Sequence, residues 1–449
     1  MRLPADFDPR ANSPTHSGLQ EEEMTMRMTK CSILAASIMA LAAGAAHADV
    51  TLSVLIDTNL ETIASFDAVS KAYMEKHSDV TFDVEQRAGG SEGDNIIKTR
   101  LATGEMADIF LYNGGSLFQA LKPEETIADL SDLPSEAGIL ESFKKVVTSP
   151  DGRVRGLPFG PAMGGGILYN RKIYADLGLT PPKTWAEFMS NNEKIKAAGK
   201  VAVAQTYGTT WTSQLFVLAD FYNVQAEVPN FADDYTANKV KYANTPAALR
   251  GFEHLEEVAK GGYFNADFGA ATFDDGMRMV ATGEAAHYPN LTFGIGNIQQ
   301  NFPDNLKDLG FFAQPGTDAA KNGLTVWMPS ALYASAKSEN LEEAKKFLDF
   351  VGSKEACDLM AKAVPSGPYL VKGCELPKDI PPVVSDMLPY FETEGRNGPA
   401  LEFLSPVKGP ALEQITVEVG TGIRSAKDAA ALYDQDVEKQ AKQLGLPNW

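Results

Sequence analysis

Gly89-Gly90-Ser91-Glu92-Gly93 sets a serine between glycines at the Gly-x-Ser-x-Gly spacing. In serine hydrolases that spacing lifts a nucleophilic hydroxyl clear of a strand-to-helix turn. The segment follows a β-prone run and precedes a helical one, as the chemistry requires. A serine nucleophile also needs an imidazole within hydrogen-bond reach. Beyond residue 48 the histidines are His77, His254 and His287, widely separated, and His254 lies in a Leu/Glu/Val stretch of helical character. So short a match arises easily in a glycine-rich loop, and a hydrolase built on Ser91 stands as the alternative from another functional class. The same scatter of histidines argues against a metal centre, and no Cys-x-x-Cys or Cys/His cluster at zinc spacing occurs. No cofactor is expected. Cys357 and Cys374 are the two cysteines beyond the N-terminal segment. In an oxidising compartment they are a disulfide candidate, with two free thiols as the alternative.

Three polar loops are better placed to form a site. Asp57-Thr58-Asn59, the stretch from Arg87 to Asp94 with Glu92, and Tyr112-Asn113-Gly114-Gly115 each follow a β-prone run. The runs are Thr51 to Ile56, the alternating Val80, Phe82 and Val84, and Ile109 to Leu111. Between them Ile63, Phe66, Val69 and Tyr73 form a helical stripe, and a helix around Asn95 to Thr103 is closed by Gly104. This βαβαβ order predicts a parallel sheet covered by helices, with ligands beyond the carboxyl ends of its strands. The loops therefore read as pocket, with Arg87 available to pair with Asp57 or Glu92. Farther along, Thr184-Trp185-Ala186-Glu187 fits a capping box after Pro181-Pro182, which places Trp185 in a core. A second clear helix carries Leu341, Ala344, Phe347, Leu348 and Val351 on one face.

The 449 residues carry 40 Lys and Arg against 59 Asp and Glu, a net charge of −19. That balance disfavours nucleic acid and anionic membrane as partners, and the length favours two domains. Lys30 precedes an apolar run from Ile33 to Ala46, followed by the small-x-small sequence Ala46-His47-Ala48. The run is shorter than the ~20 residues of a membrane-spanning helix, and the pattern is that of a cleaved export signal. Residues 1–23 are polar and read as a leader upstream of a start at Met24, Met26 or Met28, residues 24–48 as the signal peptide, and Asp49 as the mature start. Cys31 lies ahead of the apolar run, which argues against a lipid anchor there.

Gly156-Leu157-Pro158-Phe159-Gly160, Leu168-Tyr169-Asn170-Arg171-Lys172 and Leu177-Gly178-Leu179 lead into Pro182-Lys183-Thr184-Trp185-Ala186-Glu187-Phe188. This series resembles family 1 extracellular solute-binding proteins, the carbohydrate-binding components of bacterial ABC importers. Gly104-Glu105-Met106-Ala107-Asp108-Ile109, Ala281-Thr282-Gly283-Glu284-Ala285-Ala286 and Glu343-Ala344-Lys345-Lys346-Phe347-Leu348 extend the resemblance, with Ala107 replacing a usual proline. It implies an α/β, two-lobed periplasmic-binding-protein type II fold, each lobe a mostly parallel sheet flanked by helices, with the ligand cleft between them. The implied N-terminal lobe is 49–160 and 313–365, and the C-terminal lobe 161–312 and 366–449. Crossings are implied near Pro158 to Gly164, Phe312 to Gly316 and Pro365 to Pro368. The implied protein is a periplasmic monomer without catalysis, which hands a sugar to separate permease and ATPase chains.

A sugar offers C–H faces to aromatic rings and hydroxyls to Asp, Glu, Asn and Arg. The resemblance makes Tyr112 a platform after the third strand, Trp211 a ring in a polar glycine-containing loop, and Phe293 or Tyr288 a cleft aromatic. Asn290 is then in reach of a hydroxyl, and Trp327 lies just past the second crossing. With Asp57, Glu92 and Asn113 these are the candidate ligand residues. Two other cargoes fit the same fold. A glycerol-phosphate ester calls for a basic cluster, for which only Arg87 and Arg396 are placed; a polyamine suits the acidic balance and Asp57 with Glu92.

Overall fold

The computed structural model describes residues 50–449, so the expected leader at 1–23 and export signal at 24–48 lie outside the described residues. The chain opens as the periodicity predicts. β1 (Val50–Asp57) is followed by α1 (Leu60–Lys76), β2 (Val80–Arg87), α2 (Gly90–Thr103) and β3 (Ile109–Tyr112). Phe66, Val69 and Tyr73 of α1 are buried against this sheet. Gly104 ends α2 with φ 80° and its N–H on the Arg100 carbonyl, a conformation that an L side chain adopts only under strain. α2 begins at Gly90, earlier than expected, so Ser91 and Glu92 belong to its first turn.

The remaining strands are β4 (Gly156–Phe159), β5 (Met163–Asn170), β6 (Val201–Val203), β7 (Ala285–Leu291), β8 (Leu309–Ala313), β9 (Leu324–Trp327), β10 (Ser330–Ala334) and β11 (Asn397–Pro399). They complete two sheets, one ordered β2-β1-β3-β10-β4 and the other β11-β9-β5-β7-β6, with β8 also on β5. Strand alternation divides the second lobe's core: Ile167 and Tyr169 of β5 pack in one apolar cluster and Leu168 in another, on opposite faces. The expected capping box is present: Thr184 Oγ1 accepts from the Glu187 N–H, and the Glu187 carboxylate accepts from the Thr184 N–H. Trp185 is buried, with its indole donating to Glu257.

The two-lobed α/β architecture is as expected, but its sheets are mixed and not mostly parallel. β1 is parallel to β2 and β3, but β10 is antiparallel to β3 and β4. β5 is antiparallel to β7, β8 and β9. Strands that enter from the other lobe are not delivered by a βαβ crossover, so the rule that makes such neighbours parallel does not govern them.

The chain passes from the first sheet to the second between Phe159 and Met163. The second passage is not at Phe312 to Gly316. β9 still belongs to the second sheet, and the chain crosses at Met328-Pro329, immediately before β10. The third is also later than Pro365 to Pro368. The Lys372 N–H still bonds the Gly138 carbonyl, and Val371 packs in the first lobe's core. Cys374 is disulfide-bonded to Cys357 of the helix Lys354–Ala363. The helix Pro382–Glu392 packs into the second lobe's core through Val383, Val384 and Met387, with Leu376 and Ile380 ahead of it against the same cluster. Both differences have one cause: Gly and Pro mark turns, but hydrogen-bonding partners decide which sheet a segment joins.

Candidate functional site

Between the lobes lies a cleft of about 920 Å³, toward the upper end of the ~300–1,000 Å³ usual for small-molecule sites. Its first-lobe wall comes from the strand ends and helix starts that β1, β2 and β3 present: Asp57, Thr58, Asn59, Ser91, Asp94, Asn95 and Asn113. The second-lobe wall carries Trp211, Phe273, Phe293 and Trp327. Trp211 lies 5.6 Å from Phe273 and 5.7 Å from Phe293, ring centre to ring centre, and Phe273 stacks on Phe293 at 5.5 Å. Phe273 owes its place to a second capping box, Thr272 with Asp275, which starts the helix Phe273–Thr282 at the cleft. Phe293 directly precedes the helix Gly294–Asn301.

The lobes touch around this space. Gln300 donates to the Leu60 carbonyl at 2.9 Å. Gly115, with φ 68°, lies so close to the Glu402 carbonyl that a Cβ there would come within 2.3 Å of it. A Cβ on Gly296 would meet the Glu61 Cβ at 3.0 Å. Glycine is therefore required at Gly115 by both conformation and space.

Of the expected ligand residues, Asp57, Asn113, Trp211, Phe293 and Trp327 are brought together on the cleft wall. Three are not. Tyr112 is fully buried beneath it, with the Arg87 guanidinium 5.9 Å from its ring centre. As the last residue of β3 its side chain follows the strand alternation into the core. Glu92 is exposed on the outer side of α2, because the helix starts two residues before it. Asn290 is fully buried within β7, where its Oδ1 accepts from the Leu291 N–H at 2.8 Å. Ser91 does line the cleft, but none of the described histidines does. His254 is buried against Trp185, with ring centres 3.6 Å apart, and His287 meets the Tyr174 hydroxyl at 2.6 Å in the second-lobe core. Among the described residues, no imidazole is delivered to Ser91.

Glu61, Phe273, Glu402, Lys408 and Glu413 line the cleft without having been foreseen. Among the described residues the ionisable lining is Asp57, Glu61, Asp94, Asp274, Glu402 and Glu413 against Arg87, Lys98 and Lys408. Arg87 is committed to the carbonyls of Ala88 and Leu111, at 2.9 and 3.1 Å. Burial raises the Asp57 carboxyl above its ordinary range despite Thr62, Arg87 and Asn59. Burial also pushes Glu61 up to about 8, with the Asp57 charge adding to it and the Ser366 hydroxyl, which donates to Glu61, opposing it. At Lys408 burial works to remove the proton, but the Glu402 carboxylate and, behind it, Tyr433 and Asp94 outweigh it and hold the ammonium above its usual range. Ser65 Oγ, Ser116 Oγ and Arg87 Nε belong to buried lining residues and have no hydrogen-bond partner within the protein. Unpaired buried polar atoms are costly, and at a cleft wall they suit a ligand that brings hydroxyls. Among the described residues no group of His, Cys, Asp and Glu is arranged to hold a metal ion, and no helix is long and apolar enough to cross a membrane.

Similarity to known proteins agrees with this architecture. The chain is 29% identical over 221 residues to a multiple sugar-binding protein of Streptococcus mutans, a match spanning 48% of this chain and only about half, 51%, of that protein. It is 24% identical over 320 residues to the melibiose/raffinose/stachyose-binding protein MelE of Bacillus subtilis, over 69% of this chain and 72% of the relative. A solved chitin oligosaccharide binding protein superposes with a TM-score of 0.76 at 22% identity, covering 88% of this chain and 99% of that one. Residues 57–356 match the family profile of bacterial extracellular solute-binding proteins, and the chain belongs to that family.

Proposed function

We propose that this chain binds a sugar or oligosaccharide in the interlobe cleft and delivers it to the permease of an ABC importer, with no catalysis of its own. The observation that carries the reading is the pairing of an aromatic wall, Trp211 with Phe273 and Phe293, with a polar wall from Asp57 to Asn113. Rings cover the C–H face of a pyranose, and carboxylates and amides satisfy its hydroxyls. Asp57, Asn113, Trp211, Phe293 and Trp327 are the proposed contacts from the sequence, and Phe273 joins them. The lobes are proposed to be 50–159 with 330–374, and 163–327 with 382–449, linked by three short crossings. Ligand contacts from both lobes then favour the shut form by their differential affinity. The proposed setting is the periplasm, after export, with the protein acting as a monomer and with permease and ATPase as separate chains.

One observation favours a second cargo. Six lining carboxyl groups, Glu61 among them held neutral by burial, against three basic groups, among the described residues, suit a polyamine. A glycerol-phosphate ester is less well served, since Arg87 is already bonded to backbone carbonyls. Calorimetric titration with neutral oligosaccharides, polyamines and glycerol-phosphate esters decides between them. Saturable binding of a neutral sugar alone supports the proposal; binding of a polyamine or phosphate ester with no sugar bound overturns it.

A further inference from the structure

Trp327, Glu402 and Lys408 form a connected group on the cleft wall. Trp327 Nε1 donates to Glu402 Oε1 at 2.8 Å, and Lys408 Nζ lies 3.1 Å from Glu402 Oε2. The indole rests on Gly165, where a Cβ would come within 2.3 Å of the ring. From the first lobe, Gly115 packs on the Glu402 carbonyl and Asp94 faces Lys408 electrostatically. Trp327 is 5% exposed and Glu402 8% exposed, so little water reaches either.

Stability is a poor reason for such an arrangement, because a buried ion pair is often no better than packed apolar side chains of the same volume. Its hydrogen-bond inventory is more telling. A carboxylate only accepts, and both Glu402 oxygens have a partner while keeping lone pairs to spare. An ammonium has three donors, and Glu402 takes one of them. A hydroxyl is both donor and acceptor, so one placed beside this pair satisfies both members. We infer that Lys408 and Glu402 hold one hydroxyl of the bound sugar from both sides, the ammonium donating to it and the carboxylate accepting from it, and so determine which ring configuration the cleft selects. The Trp327 indole and the Gly165 surface beneath it fix the Glu402 carboxylate for that task. The inference rests on the sugar reading above and names a specificity element within it.

The test takes the tightest-binding sugar of a panel and its singly deoxygenated analogues, one for each hydroxyl, and titrates the full protein and Lys408→Met calorimetrically. Wild type is expected to lose about 10- to 100-fold in affinity for one deoxy analogue through a charge-assisted bond. Lys408→Met is expected to bind the parent sugar more weakly by a similar factor and to show little further loss with that one analogue. Glu402→Gln, which keeps an acceptor for the indole, repeats the measurement should Lys408→Met fail to fold, with the same expectation. If the variants discriminate among all deoxy analogues as wild type does, the inference is overturned while the sugar reading stands. If wild type binds no sugar, both are overturned.

Discussion

Replacing Glu61 by glutamine should remove a pH dependence that the fold builds into its own stability. Glu61 sits where α1, the approach to the third crossing and the helix Gly294–Asn301 meet. Its carboxyl accepts from the Ser366 hydroxyl, and its Cβ lies against Gly296. Burial first, with the Asp57 charge adding to it, lifts its pKa from 4.5 to about 8. Between those values the unfolded chain has released the proton that the folded chain keeps. Because the native state holds more protons, its stability falls as pH rises from about 4.5, and the loss is complete above about 8. Each pKa unit corresponds to about 1.4 kcal/mol, so the window is worth on the order of 5 kcal/mol. The glutamine of Glu61→Gln would be neutral throughout and would keep an acceptor for Ser366. Urea-unfolding curves at pH 5, 6, 7, 8 and 9 measure the difference, since most other titrating groups are common to both proteins. Glu61→Gln should gain on wild type as pH rises, by close to one proton's slope, and level off above pH 8. Parallel stability profiles for the two proteins would refute the burial argument for Glu61.

Trp211→Ala removes the ring that packs beside both Phe273 and Phe293 on the second-lobe wall, and should weaken sugar binding by about 2 kcal/mol, roughly 30-fold in Kd, by calorimetry. An unchanged Kd would take the aromatic wall out of the site. Replacing Cys357 and Cys374 by serine opens a loop with a sequence separation of 17, and should cost about 3 kcal/mol of unfolding free energy by urea denaturation. Equal midpoints for the two proteins would contradict that figure. Gly115→Ala puts a methyl within 2.3 Å of the Glu402 carbonyl at φ 68°. The lobes should then be held apart, seen as a larger radius of gyration in small-angle scattering and weaker sugar binding. No change in either would show that this contact is not part of lobe closure.

What the sequence made legible was local. The Thr184 to Glu187 box, the Gly104 helix end and the stripe on α1 are decided by residues three or four apart, so spacing reveals them. Asp57 and Asn113 line the cleft because they sit at the carboxyl ends of β1 and β3, a position the alternation of strands and helices makes readable. Tyr112 misled because being last in a strand does not say which face a side chain takes, and Asn290 because its loop-like neighbours are in fact β7. Glu402 and Lys408 lie more than 300 residues from Asp57 and join its cleft only once the chain has crossed between the lobes three times. No short-range pattern announces that. Phe273 did carry a signal, the Thr272-to-Asp275 box that fixes a helix start at the wall. The later crossings went astray for the same reason: β9 joins the second sheet through its bonds to β5 and β11, which proline and glycine positions do not encode.

A crystal structure of the protein with its tightest-binding oligosaccharide bears most directly on the central claim. Density for a sugar ring is expected between the lobes, its C–H face on Trp211 and its hydroxyls within hydrogen-bond distance of Asp57 or Asn113. A ligand bound elsewhere on the surface, with Trp211 still facing solvent, would contradict the account.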